Sequence, residues 1–444
     1  MSTMTLDALK SSVQAEIDRF GSDAIRVAKD ILLNPEPGFR EHRTAKIVAE
    51  EFSKLGIPFQ ERLGITGLKG IIDSGVSGPT VGVMGELDSL IVQGHPHSHA
   101  ITGAAHACGH HAQVGMMLAV AMGLKATGVM SSLAGRVALL AVPAEEYVEI
   151  EYRDDLRRDG KIEFLGGKPE LFRLGALDDV DIAMMTHTAP QSNGAAFAVS
   201  GSNNGMLAKR VKFTGKAAHA GVSPDRGINA LNAAMIALSA IHAQRETYPD
   251  TDTIRIHPII TRGGASVSSV PADVRMETYV RGKTVEAFTS ASKKVDRALR
   301  SGALAVGGEV NITTIPGYLP LINDDDLLGL YTANAKTLVG EDKVVSVGHR
   351  SGSTDMGDVS QVIPAIHPYV LAATGVGHGA DYLVQDYDLA VKTSAKVMAM
   401  TIIDLLADDG RKAKAIKSAH KPRMTKKEYL SFMRGLLTDI TYTE

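Results

Sequence analysis

Short, unbroken apolar runs bounded by glycine, proline or charge constrain this chain more than any other feature. Residues 81–87 and 136–142 are of this kind, and a run without alternation fits a strand covered by helices on both faces. Between them, residues 111–124 carry apolar and small side chains at helical spacing, so strand, loop, helix and strand follow in order. That is α/β organisation. Residues 179–185 repeat the strand signature, and it resumes after Pro316 at 344–347 and 365–371, before a long helical pattern over 386–406. Upstream, 6–33 and 44–55 have helical spacing, with Pro35 and Pro37 separating them.

The pattern is interrupted at about Gly205. Residues 208–214, 253–261 and 274–281 alternate like half-exposed strands, 229–244 and 285–299 read as helices, and 310–315 closes the series. Strand, helix, strand, strand, helix, strand is the ferredoxin-like order. It predicts a small unit at 204–316 inserted into a larger one made of 1–203 and 317–444. A chain of 444 residues is also too long for one ordinary core.

Charge narrows the partners. A net charge of -3 with both signs interleaved predicts neither nucleic acid nor an anionic membrane as partner, and leaves a small molecule. The basic stretch 411–427 reads as a solvated face, and no uncharged apolar run reaches the roughly 18 residues of a membrane span. The opening residues read as a charged amphipathic helix and not as an export signal, and the single Cys108 forms no internal disulfide, so the expected location is cytoplasmic.

The strongest local signal is His106-Ala-Cys-Gly-His-His111, in a loop just before a helix. Thiolate and imidazole suit borderline divalent metals, and Gly109 permits the tight loop that brings Cys108 and His110 together. The pair Glu145-Glu146 ends a buried strand, where α/β proteins assemble their sites. One carboxylate can bind metal while the other moves a proton between water and a leaving nitrogen. His187 ends another buried strand and His378 follows a third, in Gly375-Val-Gly-His-Gly-Ala-Asp. Either histidine alone reads as a hydrogen-bonded structural group. With Cys108, His110 and Glu146 they fall at strand ends of one predicted sheet, and this joint placement points to a centre for Mn, Zn or Co, with one or two ions per subunit.

The ordered motifs Gly85-Glu-Leu-Asp-Ser-Leu, His106-Ala-Cys-Gly-His, Pro143-Ala-Glu-Glu, Thr186-His, Gly215-Lys-Ala-Ala-His-Ala, Gly264-Ala-Ser-Val-Ser-Ser-Val-Pro, Gly352-Ser-Thr-Asp and Gly377-His run along most of the chain. Together they resemble the metalloaminoacylase and carboxypeptidase family, in its branch of N-acyl amino acid amidohydrolases, auxin-conjugate hydrolases and p-aminobenzoyl-glutamate hydrolases. The resemblance implies an α/β, mixed-sheet metallohydrolase domain with an inserted ferredoxin-like α+β lid that dimerises. It implies Cys108, His110, Glu146, His187 and His378 as metal ligands and Glu145 as general base and acid. It further implies that His219 stabilises an oxyanion, reaching the site of a second copy across a dimer or larger assembly. Asp88 and His111 are expected beside the ligands, and Arg350, Asn229 and Asp355 are candidates for the substrate carboxylate or its surroundings.

Two departures stand out. The branch continues Cys-Gly-His with Asp and, two residues on, His, whereas this chain has His111 and Gln113. Residues 147–160 form a charged insert, read either as a lining of the substrate entrance or as a solvated loop. The expected reaction is hydrolysis of a C–N bond in a small carboxylate-bearing molecule, with a metal-activated water. The substrate is an N-acyl or aminobenzoyl amino acid amide, or an anthranilate-type arylamine, as in an unusual family member that converts 5-nitroanthranilate to 5-nitrosalicylate and ammonia. The alternative is a catalytically silent relative that binds metal or ligand.

Overall fold

The computed structural model describes residues 5–443, the side chain of Ser200 excepted; residues 1–4 and 444 of the units read above lie outside the described residues. Six strands form the main sheet in the order Phe59–Leu63, Gly67–Asp73, Arg136–Val142, Thr80–Glu86, Ile182–Met184 and Ala365–Ile366. The last four run parallel, and the first two are antiparallel to their neighbours. Thr80–Glu86 is buried at every position, as its unalternating sequence predicts. Helix His110–Thr127 packs against it and is buried from His110 to Leu124. A helix this apolar all round needs cover on all sides. Helices Leu6–Leu33 and Ser394–Ala419 supply it, joining one continuous core. Gly123 allows the first contact, since a Cβ there would sit 2.6 Å from Ile17 Cγ1.

A second sheet carries Val344–Val347, Phe197–Ser200, Tyr369–Thr374 and Leu383–Val384 in order, with His187–Pro190 parallel to Tyr369–Thr374. The predicted strand 365–371 therefore divides at His367-Pro368, with its halves in different sheets. Proline has no N–H to give a ladder, which accounts for the break. Pro258 also divides 253–261, into Arg255–Ile256 and Ile259–Arg262, although both halves stay in one sheet.

The inserted unit is built on Gly205–Thr214, flanked antiparallel by Asp273–Gly282 and Glu309–Pro316. Arg255–Ile256 and Ile259–Arg262 pair with the outer side of Asp273–Gly282. Helices Ala230–Ala243 and Val285–Val306 cover one face, over a core that includes Phe213, Ala237, Met276 and Leu299. This is the ferredoxin-like arrangement, and the whole molecule is a mixed α/β domain with an inserted lid.

Two regions depart from the sequence reading. The helical pattern over 386–406 opens as a π-turn, Asp388–Thr393, and continues as Ser394–Ala419 beyond a kink at Ala407 to Gly410. The second part is retained because Ala413 and Ile416 reach the core. Further on, Thr438–Tyr442 pairs antiparallel with Glu309–Pro316 and so adds an edge strand to the inserted sheet. The preceding helix, Lys426–Gly435, stays on the larger unit, burying Tyr429 and Met433. Residues 317–443 therefore serve both units.

Candidate metal centre and catalytic cavity

The parallel strands share a carboxyl-terminal edge, and the chemistry gathers there. Thr80–Glu86 leads to Asp88, Arg136–Val142 to Glu145 and Glu146, and Ile182–Met184 to His187. Gly109, at φ 86, turns the chain from Cys108 into the helix beginning at His110. A Cβ at Gly109 would lie 2.0 Å from Thr188 Oγ1, so the approach of Cys108 to the His187 strand requires glycine.

Buried contacts orient each donor. His110 Nδ1 lies 2.9 Å from the Asp88 carbonyl and 3.3 Å from Asp88 Oδ1. Its Nε2 is thereby turned inward, 3.1 Å from Glu86 Oε2 and 3.8 Å from both Glu145 Oε2 and Glu146 Oε1. His187 Nδ1 donates to the Thr188 carbonyl at 2.7 Å, leaving Nε2 facing Cys108 Sγ at 3.1 Å. His378, at φ 66, brings Nε2 to 3.6 Å from Glu146 Oε1. Three donor sets among the described residues have ligand atoms within 4.8 Å of one another: Cys108 with His110 and His187, Cys108 with Glu146 and His378, and Glu86 with His110 and Glu145. Cys108 belongs to the first two.

These donors fit a divalent transition metal. His110 Nε2 and Glu146 Oε1 are buried without a hydrogen-bond partner, a state that proteins seldom leave uncompensated. Thiolate with imidazole and carboxylate is also the donor chemistry of that metal class. Burial and the nearby Glu146 hold the Cys108 thiol well above its usual pKa. Burial opposes charge on His110, but Glu86 and Cys108 outweigh it and raise its pKa well above normal. At both donors a cation therefore competes with a proton. Burial, with Glu86, Glu146 and Asp355, lifts Glu145 well above the carboxylate range. A carboxyl near a reacting water is suited to accept and return a proton when its pKa is raised towards neutrality.

The acidic turn is held from below. Ala144 sits at φ 52, a strained conformation for a residue with a Cβ. Its N–H donates to Glu41 Oε1 at 2.7 Å and its carbonyl accepts from Arg153 Nη1 at 2.9 Å. Arg153 also donates to the carbonyls of Leu165 and Glu146, Tyr318 donates to the carbonyl of Glu145, and Asp88 Oδ2 accepts from the Glu146 N–H at 2.8 Å. Arg153 belongs to the charged insert, within helix Ile150–Arg158. The insert is thus neither of the two things expected of it as a whole. Tyr147 and Val148 face the cavity, whereas Arg153 is buried under the turn, and Asp154 pairs with Arg210 of the inserted sheet at 3.2 Å.

Beneath Glu145 lies a group the sequence reading missed. Lys168 is fully buried and donates to Glu86 Oε1 at 2.5 Å and to Asp355 Oδ1. Burial raises Glu86, but Lys168, His110 and His187 prevail and hold it far below the usual range. Gln113 clamps Glu86 from the other side, donating to Oε2 at 3.0 Å and accepting from its N–H at 3.2 Å. Nothing in the sequence around Lys168 marks it, whereas Glu86 was visible inside Gly85-Glu-Leu-Asp. Asp355 is bonded to Lys168 and is not among the cavity-lining residues, so of the two places the sequence allowed it, it lies in the surroundings and not against a substrate. His111 lies within 2.9 Å of the Tyr387 hydroxyl, and burial with the neighbouring His110 pushes its pKa down to about 3.

A cavity of about 830 Å³ opens over the donors. Tyr147, Tyr279, Tyr318, Tyr369 and Tyr382 line it, with Arg350, whose guanidinium lies 3.8 Å from the Tyr369 ring centroid. His219 and Asn229 are not among the lining residues of this chain. His219 is exposed, its Nδ1 accepting from the N–H groups of Gly221 and Val222 at 3.1 Å. Asn229 caps helix Ala230–Ala243 through its Oδ1, a helix-forming duty that its place before an apolar run could have indicated.

A mixed α/β domain with an inserted lid, and acids, histidines and a thiol collected at its strand ends, defines the class of metallopeptidases and amidohydrolases. Residues 82–402 match the peptidase family M20/M25/M40, and the chain belongs to that family. It is 32% identical over 321 residues to the Xaa-Arg dipeptidase of Mus musculus, covering 69% of this chain and 68% of that one. It is 26% identical over 389 residues to an IAA-amino acid hydrolase of Arabidopsis thaliana, covering 82% and 77%. Its fold is similar to that of a dinuclear metal-binding peptidase of the same family from Bacillus subtilis, with a TM-score of 0.63, 20% identity, and 88% and 99% of the two chains covered.

Proposed function

We propose that the protein is a metal-dependent hydrolase that cleaves a C–N bond of a small carboxylate-bearing molecule. The observation that carries this reading is the position of Glu145, a buried acid of raised pKa beside two donor sets that share Cys108. Cys108, His110 and His187 would hold one ion, and Cys108, Glu146 and His378 a second, with Mn, Zn and Co all compatible. When bound, such an ion polarises the group under attack and makes water a better acid. Glu145 takes a proton from the attacking water and delivers it to the departing nitrogen. Arg350 receives the substrate carboxylate, for which a planar guanidinium is suited.

Relatives that act on a dipeptide or an amino acid conjugate support an amide substrate. The tyrosine-lined cavity, and His111 and Gln113 beside the centre, favour a second reading, an anthranilate-type arylamine such as 5-nitroanthranilate. There water adds to the ring carbon bearing the amine, and ammonia leaves as the phenol forms. Self-association through the inserted unit, whose Val222, Ile259 and Val267 are exposed, would let His219 serve a second copy's site. The test is product detection by mass spectrometry after Mn or Zn is added to metal-stripped protein with N-acyl amino acids and with substituted anthranilates. Metal-dependent product that disappears in Glu145→Gln supports the hydrolase, and the pool that reacts selects the substrate class. No product from either pool contradicts both readings and leaves the binding-protein alternative.

A further inference from the structure

One wall of the cavity holds polar atoms that the proposed chemistry does not use. His367 is buried to 1% exposure, and neither Nδ1 nor Nε2 has a hydrogen-bond partner. Asn203 Oδ1 and Ser353 Oγ, on the same cavity, are also buried and unpartnered. Buried polar groups are nearly always paired, so four such atoms around one cavity mark a place built for something polar. The guanidinium of Arg350, half-buried at the same wall, makes no ion pair among the described residues.

The wall is also held rigid. The His367 ring stands perpendicular to Tyr369 at 5.2 Å between centroids and 5.6 Å from His187. Tyr369 in turn stacks under Arg350 and accepts from Asn203 Nδ2 at 3.1 Å. The His367 backbone N–H is fixed by Asn323 Oδ1 at 2.7 Å, in the turn that His367-Pro368 makes between the two sheets. The ring therefore cannot easily swing away to find another partner, and a nitrogen is left to a ligand.

We propose that His367 and Arg350 together form the subsite for the substrate carboxylate, with His367 donating an N–H to one oxygen and so determining specificity. Ser353 supplies a further O–H donor, and Asn203 Oδ1 an acceptor for a polar hydrogen of the same ligand. This subsite rests on the hydrolase reading above for the identity of its ligand as substrate.

The test measures benzoate and benzamide binding to the Mn-loaded protein by calorimetry, since the two probes share a shape and differ in charge. His367→Phe is expected to weaken benzoate by roughly 10- to 100-fold, the range for a lost hydrogen bond to a charged group. Benzamide affinity and the melting temperature should stay near wild type. His367→Gln, which keeps an N–H donor, should restore most of the benzoate affinity. Combining His367→Phe with Arg350→Met should cost less than the two single losses added, because both act on one carboxylate. Unchanged benzoate affinity in His367→Phe, equal losses for both probes, or strict additivity overturns the subsite. Failure of the hydrolase reading shows separately, as absence of turnover in the wild type, and the benzoate comparison still decides the subsite.

Discussion

At the scale of single residues, the centre is organised by which groups hold protons. Cys108 and His110 both have raised pKa values and both must deprotonate to bind metal. Metal affinity should therefore rise with pH, by up to about tenfold per unit for each proton released. Competition with a chromogenic chelator at several pH values measures this, and a pH-independent affinity contradicts it. Lys168→Met should destabilise the protein by roughly 3–5 kcal/mol in denaturant unfolding, because Glu86 and Asp355 lose the buried ammonium they share, and His110 remains beside Glu86 alone. A change below 1 kcal/mol would mean that the buried pair is not compensated by Lys168. The gathering of Cys108, His110 and the acidic pair was legible in the sequence because donor types in close spacing announce themselves. Lys168 and His367 were not, because a lone lysine or histidine gains meaning only from partners about 80 and 180 residues distant.

At the scale of elements, the turn 143–146 depends on a helix that no reading of the sequence assigned to it. Arg153, from Ile150–Arg158, holds the carbonyls of Ala144, Glu146 and Leu165, and the strained Ala144 is fixed at both its backbone groups. Arg153→Met should leave buried carbonyls unpaired, at about 1–3 kcal/mol for each lost partner. It should also lower metal affinity as Glu146 is released from its position. Metal content and unfolding free energy measured on the same preparation check this, and loss of stability with unchanged metal affinity would limit Arg153 to folding. The unalternating strands were readable from period alone, as was the ferredoxin-like order. The breaks at Pro258 and Pro368 were readable in principle from the missing N–H, yet the apolar runs around them masked the signal.

At the scale of the whole molecule, the C-terminal segment joins the two units. Lys426–Gly435 packs on the larger one, and Thr438–Tyr442 extends the inserted sheet. Removal of residues 437–444 should lower the melting temperature of the inserted unit while leaving metal content intact, since none of the described residues there belongs to a donor set. An unchanged melting curve would show that the added strand contributes nothing. Sequence separation concealed this pairing, because a five-residue strand more than 120 residues from its partner carries no local mark of it. The exposed Val267 and Ile259 set a further expectation for the proposed self-association: Val267→Glu with Ile259→Glu should shift sedimentation towards the single chain and, where His219 serves a second copy, reduce turnover. Turnover unchanged in a dissociated protein would remove His219 from the reaction.

Hydrolysis with Glu145 as the proton carrier is tested by following the oxygen. Metal-loaded protein is incubated in ¹⁸O-labelled water with the amide and arylamine pools, beside Glu145→Gln loaded with the same metal. The expected product carries one water-derived ¹⁸O at the carbon that lost nitrogen, formed by the wild type and reduced roughly 100-fold or more in Glu145→Gln. Product without label, or equal labelling by the variant, would contradict it.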